Sequence, residues 1–177
     1  IILARVYKGF DELIQNALAV FSLSDVGLNK AEVFEVLTTS LNLTTSQTAS
    51  VVKKMRATGA IEVFGNQTLK VHDAIRALGL RHLDLMEPSI SERALTSMKD
   101  LLIKSLEDTR DTSRFSLLVQ IYIKLKDVTT LIDIAGEELF HEMGITVDIF
   151  ASLEKAVISD TLDPINRFWA LDGIVFY

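Results

Sequence analysis

The sequence predicts a mainly α fold, interrupted once by a two-stranded hairpin and continuing as helices to its last residues. Three observations carry that prediction. Apolar residues recur at intervals of three and four along most of the 177 residues, the spacing that gives a helix one buried face. Residues 61–71 break the pattern, with Ile61–Phe64 and Thr68–Val71 reading as short strands about a Gly65-Asn66-Gln67 turn. Only two prolines and eight glycines punctuate the chain, and Pro88 stands where the first helical set ends, so 1–87 and 88–177 read as two domains.

The first helix is expected over Ile2–Phe21, where Val6, Phe10, Leu13, Ile14, Ala17 and Val20 form one stripe. Asn29-Lys30-Ala31-Glu32 has the form of a capping box, in which Asn29 accepts a backbone proton and Glu32 reaches back. It opens a second helix presenting Val33, Phe34, Val36, Leu37 and Leu41. Thr44-Thr45-Ser46-Gln47 is another such box, and Ala49, Val51, Val52 and Met55 supply the inward side of a third helix. Gly59 ends that helix, since glycine adopts the left-handed cap without penalty. Three helices and a two-stranded wing then account for 2–71, which is the layout of a winged helix. Ala74, Ile75, Leu78, Leu80 and Leu83 continue helically to about Met86.

Ser89-Ile90-Ser91-Glu92 reads as the cap of the second domain. Its helices are marked in turn by Leu95, Met98, Leu101, Leu102 and Leu106; by Phe115, Leu118, Ile121, Tyr122 and Leu125; and by Leu131, Ile132, Ile134, Ala135, Leu139 and Phe140. Ile149, Phe150, Leu153, Val157 and Ile158 mark a fourth, and Ile165, Phe168, Trp169 and Leu171 begin a fifth. A shift of 35 residues superposes Phe115 on Phe150, Leu118 on Leu153 and Ala135 on Ala170. Either a tetratricopeptide-like α-solenoid or a plain antiparallel helical bundle accounts for these coincidences. An opening at Ile1 without methionine and a closing apolar run, Ile174-Val175-Phe176-Tyr177, point to a fragment of a longer array.

Composition narrows the function. The absence of cysteine removes disulfides, thiol nucleophiles and zinc ribbons. No apolar run approaches the ~20 residues of a spanning helix, and a cytoplasmic protein with no membrane partner is expected. Residues 1–90 hold nine Lys/Arg against nine Asp/Glu, and residues 91–177 nine against fifteen, so the net charge of −6 belongs to the second half. Phosphate backbones are disfavoured as partners of that half.

Sequence motifs of catalysis are missing. His72, His82 and His141 lack the spacing of three or four that two helical metal ligands need, and no HExxH occurs. GxSxG, GxxxxGK[ST] and GxGxxG are absent as well, and Glu107-Asp108 and Glu137-Glu138 sit in polar helical stretches. The chain is therefore expected to be no enzyme by itself. The third helix carries Thr45, Ser46, Gln47, Ser50, Lys53, Lys54 and Arg56, with Lys70 in the wing; Gln47, Lys53, Lys54 and Arg56 would serve a DNA-binding regulator. A solvated helix face accounts for the same residues. His72, at the joint of wing and helix, reads most simply as a capping residue, with Asp73 favoured by the positive end of the helix dipole.

Leu69-Lys70-Val71-His72-Asp73-Ala74-Ile75-Arg76 also resembles the Met-His-Asp motif that closes the winged helix of the NB-ARC type of signal-transduction ATPase, the STAND class, with Val71 in place of methionine. Ala17-Leu18-Ala19-Val20-Phe21-Ser22 resembles the end of that domain's first helix. Val51-Val52-Lys53-Lys54-Met55 through Gly59-Ala60-Ile61-Glu62 resembles its passage from helix to strand. The similarity covers roughly residues 3–85. It implies that His72 contacts the β-phosphate of ADP and that Asp73 tethers the turn aiming it. It further implies ADP or ATP as the cofactor of a parent protein, none being held by the fragment alone. The implied partners are an upstream nucleotide-binding domain and a protein or oligomer met through the helical region. The alternatives are a winged-helix transcription regulator with a helical dimerisation or sensor domain, and a scaffold whose solenoid face binds a peptide or protein.

Overall fold

The single helix expected over Ile2–Phe21 is broken at Gly9–Asp11 into α1 (Ile2–Lys8) and α2 (Glu12–Phe21). Asp11 is the physical cause: its backbone is extended, and its carboxylate accepts the Ile14 N–H at 2.9 Å, satisfying a donor that starts a new helix. This computed structural model describes residues 2–65, 67–137, 141–142, 146–159 and 161–176; Asn66, Glu138, Leu139, Phe140 and Tyr177 of the readings above lie outside the described residues. Among the described residues the chain is mainly helical, with one two-stranded antiparallel sheet. It divides into two compact units, Ile1–Lys104 and Ser105–Tyr177.

In the first unit, α2 is central. Ala17 through Phe21 are all within 1% of full burial, so its second half is enclosed on every side rather than along one stripe. Around it lie α3 (Lys30–Leu41) and α4 (Thr45–Ala57), whose capping boxes at Asn29/Glu32 and Thr44/Gln47 both form. Thr58 caps α4, and Gly59 follows at φ 68°. Gly59 N–H then bonds Arg56 O and Ala60 N–H bonds Met55 O, each at 3.1 Å, the paired bonds of a Schellman stop. That stop releases the chain directly into β1 (Ile61–Phe64), which pairs with β2 (Thr68–Val71) in the register Ile61↔Val71 to Phe64↔Thr68. Gln67 takes the left-handed position of the turn, at φ 60°. Leu28, between α2 and α3, makes both backbone bonds to Leu69, an isolated antiparallel bridge beside the two strands.

After the hairpin, α5 (Asp73–Leu83) crosses α2 at close range, because Gly79 lies against Ser22 and Leu18 O with no room for a Cβ. Pro88 opens α6 (Pro88–Asp108) instead of interrupting a helix: proline suits the first helical position, where no N–H is needed. Ser89 consequently lies inside the first turn of α6, with its hydroxyl on Glu87 Oε1, and does not serve as the expected cap. Ser91 Oγ bonds Leu83 O at 2.9 Å and Arg93 Nε bonds Ser40 O at 3.3 Å, while Ala94, Met98, Leu101 and Leu102 are buried. These interactions extend the first unit to Lys104.

The second unit contains α7 (Thr112–Leu125), α8 (Val128–Ala135), α9 (Thr146–Ile158) and α10 (Pro164–Phe176). Asp111 caps α7 and Asp127 caps α8 through their carboxylates. Val119, Leu131, Ile134, Ala135, Ile149, Leu153 and Ala170 form one core. Residues 35 apart occupy matching environments: Leu118 and Leu153 are buried, Ala135 and Ala170 are buried, and Phe115 and Phe150 pack half-buried against the same core. In α10 the sequence markers face outward, with Ile165 and Phe168 70% and 60% exposed, and Ala170 supplies the buried contact.

Candidate functional site

The site begins with the backbone of His72. Its N–H donates to Ala60 O at 3.0 Å, continuing the hairpin ladder one step beyond Val71. Its C=O accepts the N–H groups of Ile75 and Arg76 at 2.8 and 3.0 Å, which starts α5. Held from both sides, His72 is the N-cap: Nδ1 accepts the Ala74 N–H at 3.2 Å. An accepting Nδ1 places the proton of the neutral ring on Nε2. Nε2 lies 3.4 Å from Glu62 Oε1, and the side chain is 48% exposed, so the ring is at the surface of the joint and outside the core.

Asp73, the next residue, is engaged differently. Its carboxylate meets Lys70 Nζ at 3.0 Å, and that hydrogen bond and charge hold it below the usual carboxylate range. Arg76 reaches across to Ser22 O at 3.1 Å, fixing α5 to the end of α2. Glu62, Lys70, His72, Asp73 and Arg76 thus form a mixed cluster of two acids, two bases and one imidazole at one joint. Sequence reasoning missed Glu62 as the neighbour of the His72 ring. The signal was available in the hairpin register, which sets Glu62 opposite Lys70 and diagonal to His72 on the same face.

The residues of the DNA-binding reading lie on α4 but are not equivalent. Gln47 Oε1 accepts from Thr44 N and Oγ1, so it is held at the start of the helix by the capping box. Lys54 Nζ pairs with Asp11 Oδ2 at 3.3 Å on the surface. Lys53 and Arg56 share with Lys30 a cavity of about 420 Å³ between α3 and α4, floored by Phe34, Ala49 and Val52. Lys30 Nζ stands 5.6 Å from the centre of the Phe34 ring. No carboxylate lines that cavity.

The other histidines have structural surroundings. His82 Nε2 is 2.8 Å from Asn16 Oδ1 and its ring meets Tyr7 edge-on; His141 Nε2 is 2.8 Å from Ala135 O, with the ring stacked on Phe150. Among the described residues no group of three His, Asp or Glu side chains is placed to hold a metal ion, and no helix is long and apolar enough to cross a membrane. No protein-family model, no curated protein and no solved structure matches this chain.

Proposed function

We propose that this chain is the regulatory portion of a cytoplasmic STAND-type signalling ATPase: a winged helix that senses the nucleotide held by a separate P-loop domain and couples it to a tetratricopeptide-like protein-interaction region. The observation that carries the reading is the half-exposed His72 ring, aimed from a backbone clamped between Ala60 and the first turn of α5. The element order around it supports the same reading. Helix, the Leu28 bridge, two helices and then a hairpin follow one another as they do in a winged helix.

In this reading Nε2–H of His72 donates to a β-phosphate oxygen, and Glu62 turns aside as the anion approaches. A hydrogen bond to a charged group contributes about 1.5–3 kcal/mol. That biases a two-state equilibrium roughly tenfold to a hundredfold, enough to act as a switch. Asp73 stays on Lys70 and leaves the phosphate to the imidazole. The helical region is read as repeats because α9 and α10 begin 34 and 36 residues after α7 and α8. The chain itself has no catalytic step to perform. The test is ADP release from the protein carrying its nucleotide domain. His72→Ala should accelerate release by about tenfold or more, and an unchanged rate would sink the reading.

A DNA-binding regulator is the second reading, favoured by a cavity whose charged lining residues, Lys30, Lys53 and Arg56, are all cationic. It requires salt-sensitive retardation of duplex DNA that disappears when Lys53, Lys54 and Arg56 are replaced by alanine.

A further inference from the structure

Helix α10 carries an exposed apolar face. On α10, Ile165, Phe168, Trp169 and Val175 are each more than half exposed, and Leu171 is 43% exposed. At 100° per residue these side chains fall on one half of the helix, opposite the fully buried Ala170. Scattered single apolar residues are ordinary on a protein surface, whereas apolar residues grouped on one helix face with two aromatics among them are characteristic of docking sites. Phe168 and Trp169 also meet edge to face, 5.2 Å between ring centres, and form an aromatic ridge on this face.

Charge selects the occupant. Asp172 is exposed and lies within the stripe, four residues beyond Phe168 and seven beyond Ile165, where a docked partner would cover it. Covering a carboxylate is costly unless a cation meets it. The unit Ser105–Tyr177 carries six Lys/Arg against thirteen Asp/Glu, a net charge of −7. A second copy of the same face would bring two Asp172 carboxylates into one dry seam between two units of like charge, which argues against self-pairing. A cationic partner meets both conditions.

We infer that the exposed face of α10 docks a basic amphipathic helix, its apolar stripe on Phe168, Trp169 and Ile165 and a lysine or arginine on Asp172. Such helices bind through apolar anchors at i, i+3, i+4 and i+7; α10 offers apolar side chains at i, i+3 and i+4 from Ile165 and the Asp172 carboxylate at i+7.

Trp169 is the sole tryptophan of the chain, so its fluorescence reports the face directly. Two leucine–lysine peptides of about four turns would be titrated into the full chain, one with leucines at i, i+3, i+4 and i+7 and one of identical composition scrambled. The patterned peptide should give a saturable blue shift of Trp169 emission, and the scrambled one none. Phe168→Asp, with far-UV circular dichroism unchanged, should weaken binding at least about tenfold, as loss of a central aromatic anchor does. Asp172→Lys should weaken the lysine peptide and strengthen its glutamate counterpart, a reversal that general stickiness cannot produce. Equal binding of both leucine–lysine peptides, or indifference to Phe168→Asp or to Asp172→Lys, would overturn the inference. So would a blue shift that grows with protein concentration alone and accompanies a dimeric mass, since the occupant would then be a second copy.

Discussion

Nε2 of His72 stands 3.4 Å from Oε1 of Glu62, on the strand opposite, while Nδ1 of the same ring accepts the Ala74 N–H at 3.2 Å. The two nitrogens therefore have separate duties. One caps α5 and the other faces outward toward a carboxylate. The cap fixes the tautomer, so nitrogen-15 NMR of the neutral ring should report the proton on Nε2. Glu62→Gln should leave that tautomer unchanged, because Ala74 sets it. A proton found on Nδ1 would remove the donor on which phosphate sensing by His72 depends.

Gly79 is the position least able to accept a side chain. A Cβ there would lie 2.1 Å from Ser22 Oγ, 2.8 Å from Ser22 Cβ and 3.0 Å from Leu18 O. The hydroxyl could rotate away; the Leu18 carbonyl belongs to the α2 backbone and cannot. Gly79→Ala should destabilise the first unit by about 1–3 kcal/mol through overpacking, read as a lower urea midpoint with an unchanged slope. Ser22→Ala is expected to be neutral or mildly stabilising, since the buried Ser22 hydroxyl has no hydrogen-bond partner among the described residues.

Asp11 separates capping from ion pairing. Its carboxylate is held below the ordinary 3.8, first by the Ile14 N–H and less by Lys54. Its folded pKa being lowered, the stabilisation is present at neutral pH and is lost as acid titrates the group below about pH 4. Asp11→Ala should cost about 1 kcal/mol, whereas Asp11→Asn, which keeps an accepting oxygen, should cost only a small part of that. Thermal unfolding of the two variants in low and high salt checks this. If the exposed Lys54 pair were the main contribution, both variants would lose equally and salt would erase the difference.

Local chemistry made much of this fold legible. Asn29, Thr44 and Gly59 begin and end their helices because each supplies a specific orphan backbone group with a partner, a relation contained within a few residues. The hairpin was legible for the same reason. The Leu28–Leu69 bridge was not, since it joins residues about forty apart and carries no local signature. The break at Asp11 escaped because α1 and α2 share the spacing of one helix, and Pro88 was read as a stop although proline equally starts a helix. At the site, the Met-His-Asp resemblance singled out both His72 and Asp73. Lys70, the partner of Asp73, is a local neighbour three residues back, whereas Glu62 reaches His72 only through the cross-strand register.

Tyr7 links the first helix to the rest of its unit and should make that link sensitive to alkali. The residue is 6% exposed, its hydroxyl donates to Gln15 O at 2.9 Å, and its ring meets Phe10 and His82 edge-on. Burial pushes its pKa from 10.0 up to about 12, because the phenolate would have to form away from water. In the unfolded chain the same group ionises near 10.0, so between that value and about 12 the unfolded state binds fewer protons than the folded state. Stability must then fall as pH rises across this window. Below it, Tyr7 is protonated in both states and contributes no pH dependence. Tyr7→Phe should cost about 1 kcal/mol at neutral pH through the lost hydrogen bond. It should also flatten the alkaline decline, so that the difference from the natural chain narrows as pH rises. Urea unfolding of the two proteins over a pH series, with their difference taken to cancel the lysines, measures this directly. Parallel alkaline curves would mean that the Tyr7 hydroxyl is reached by water and that α1 is held by its ring alone.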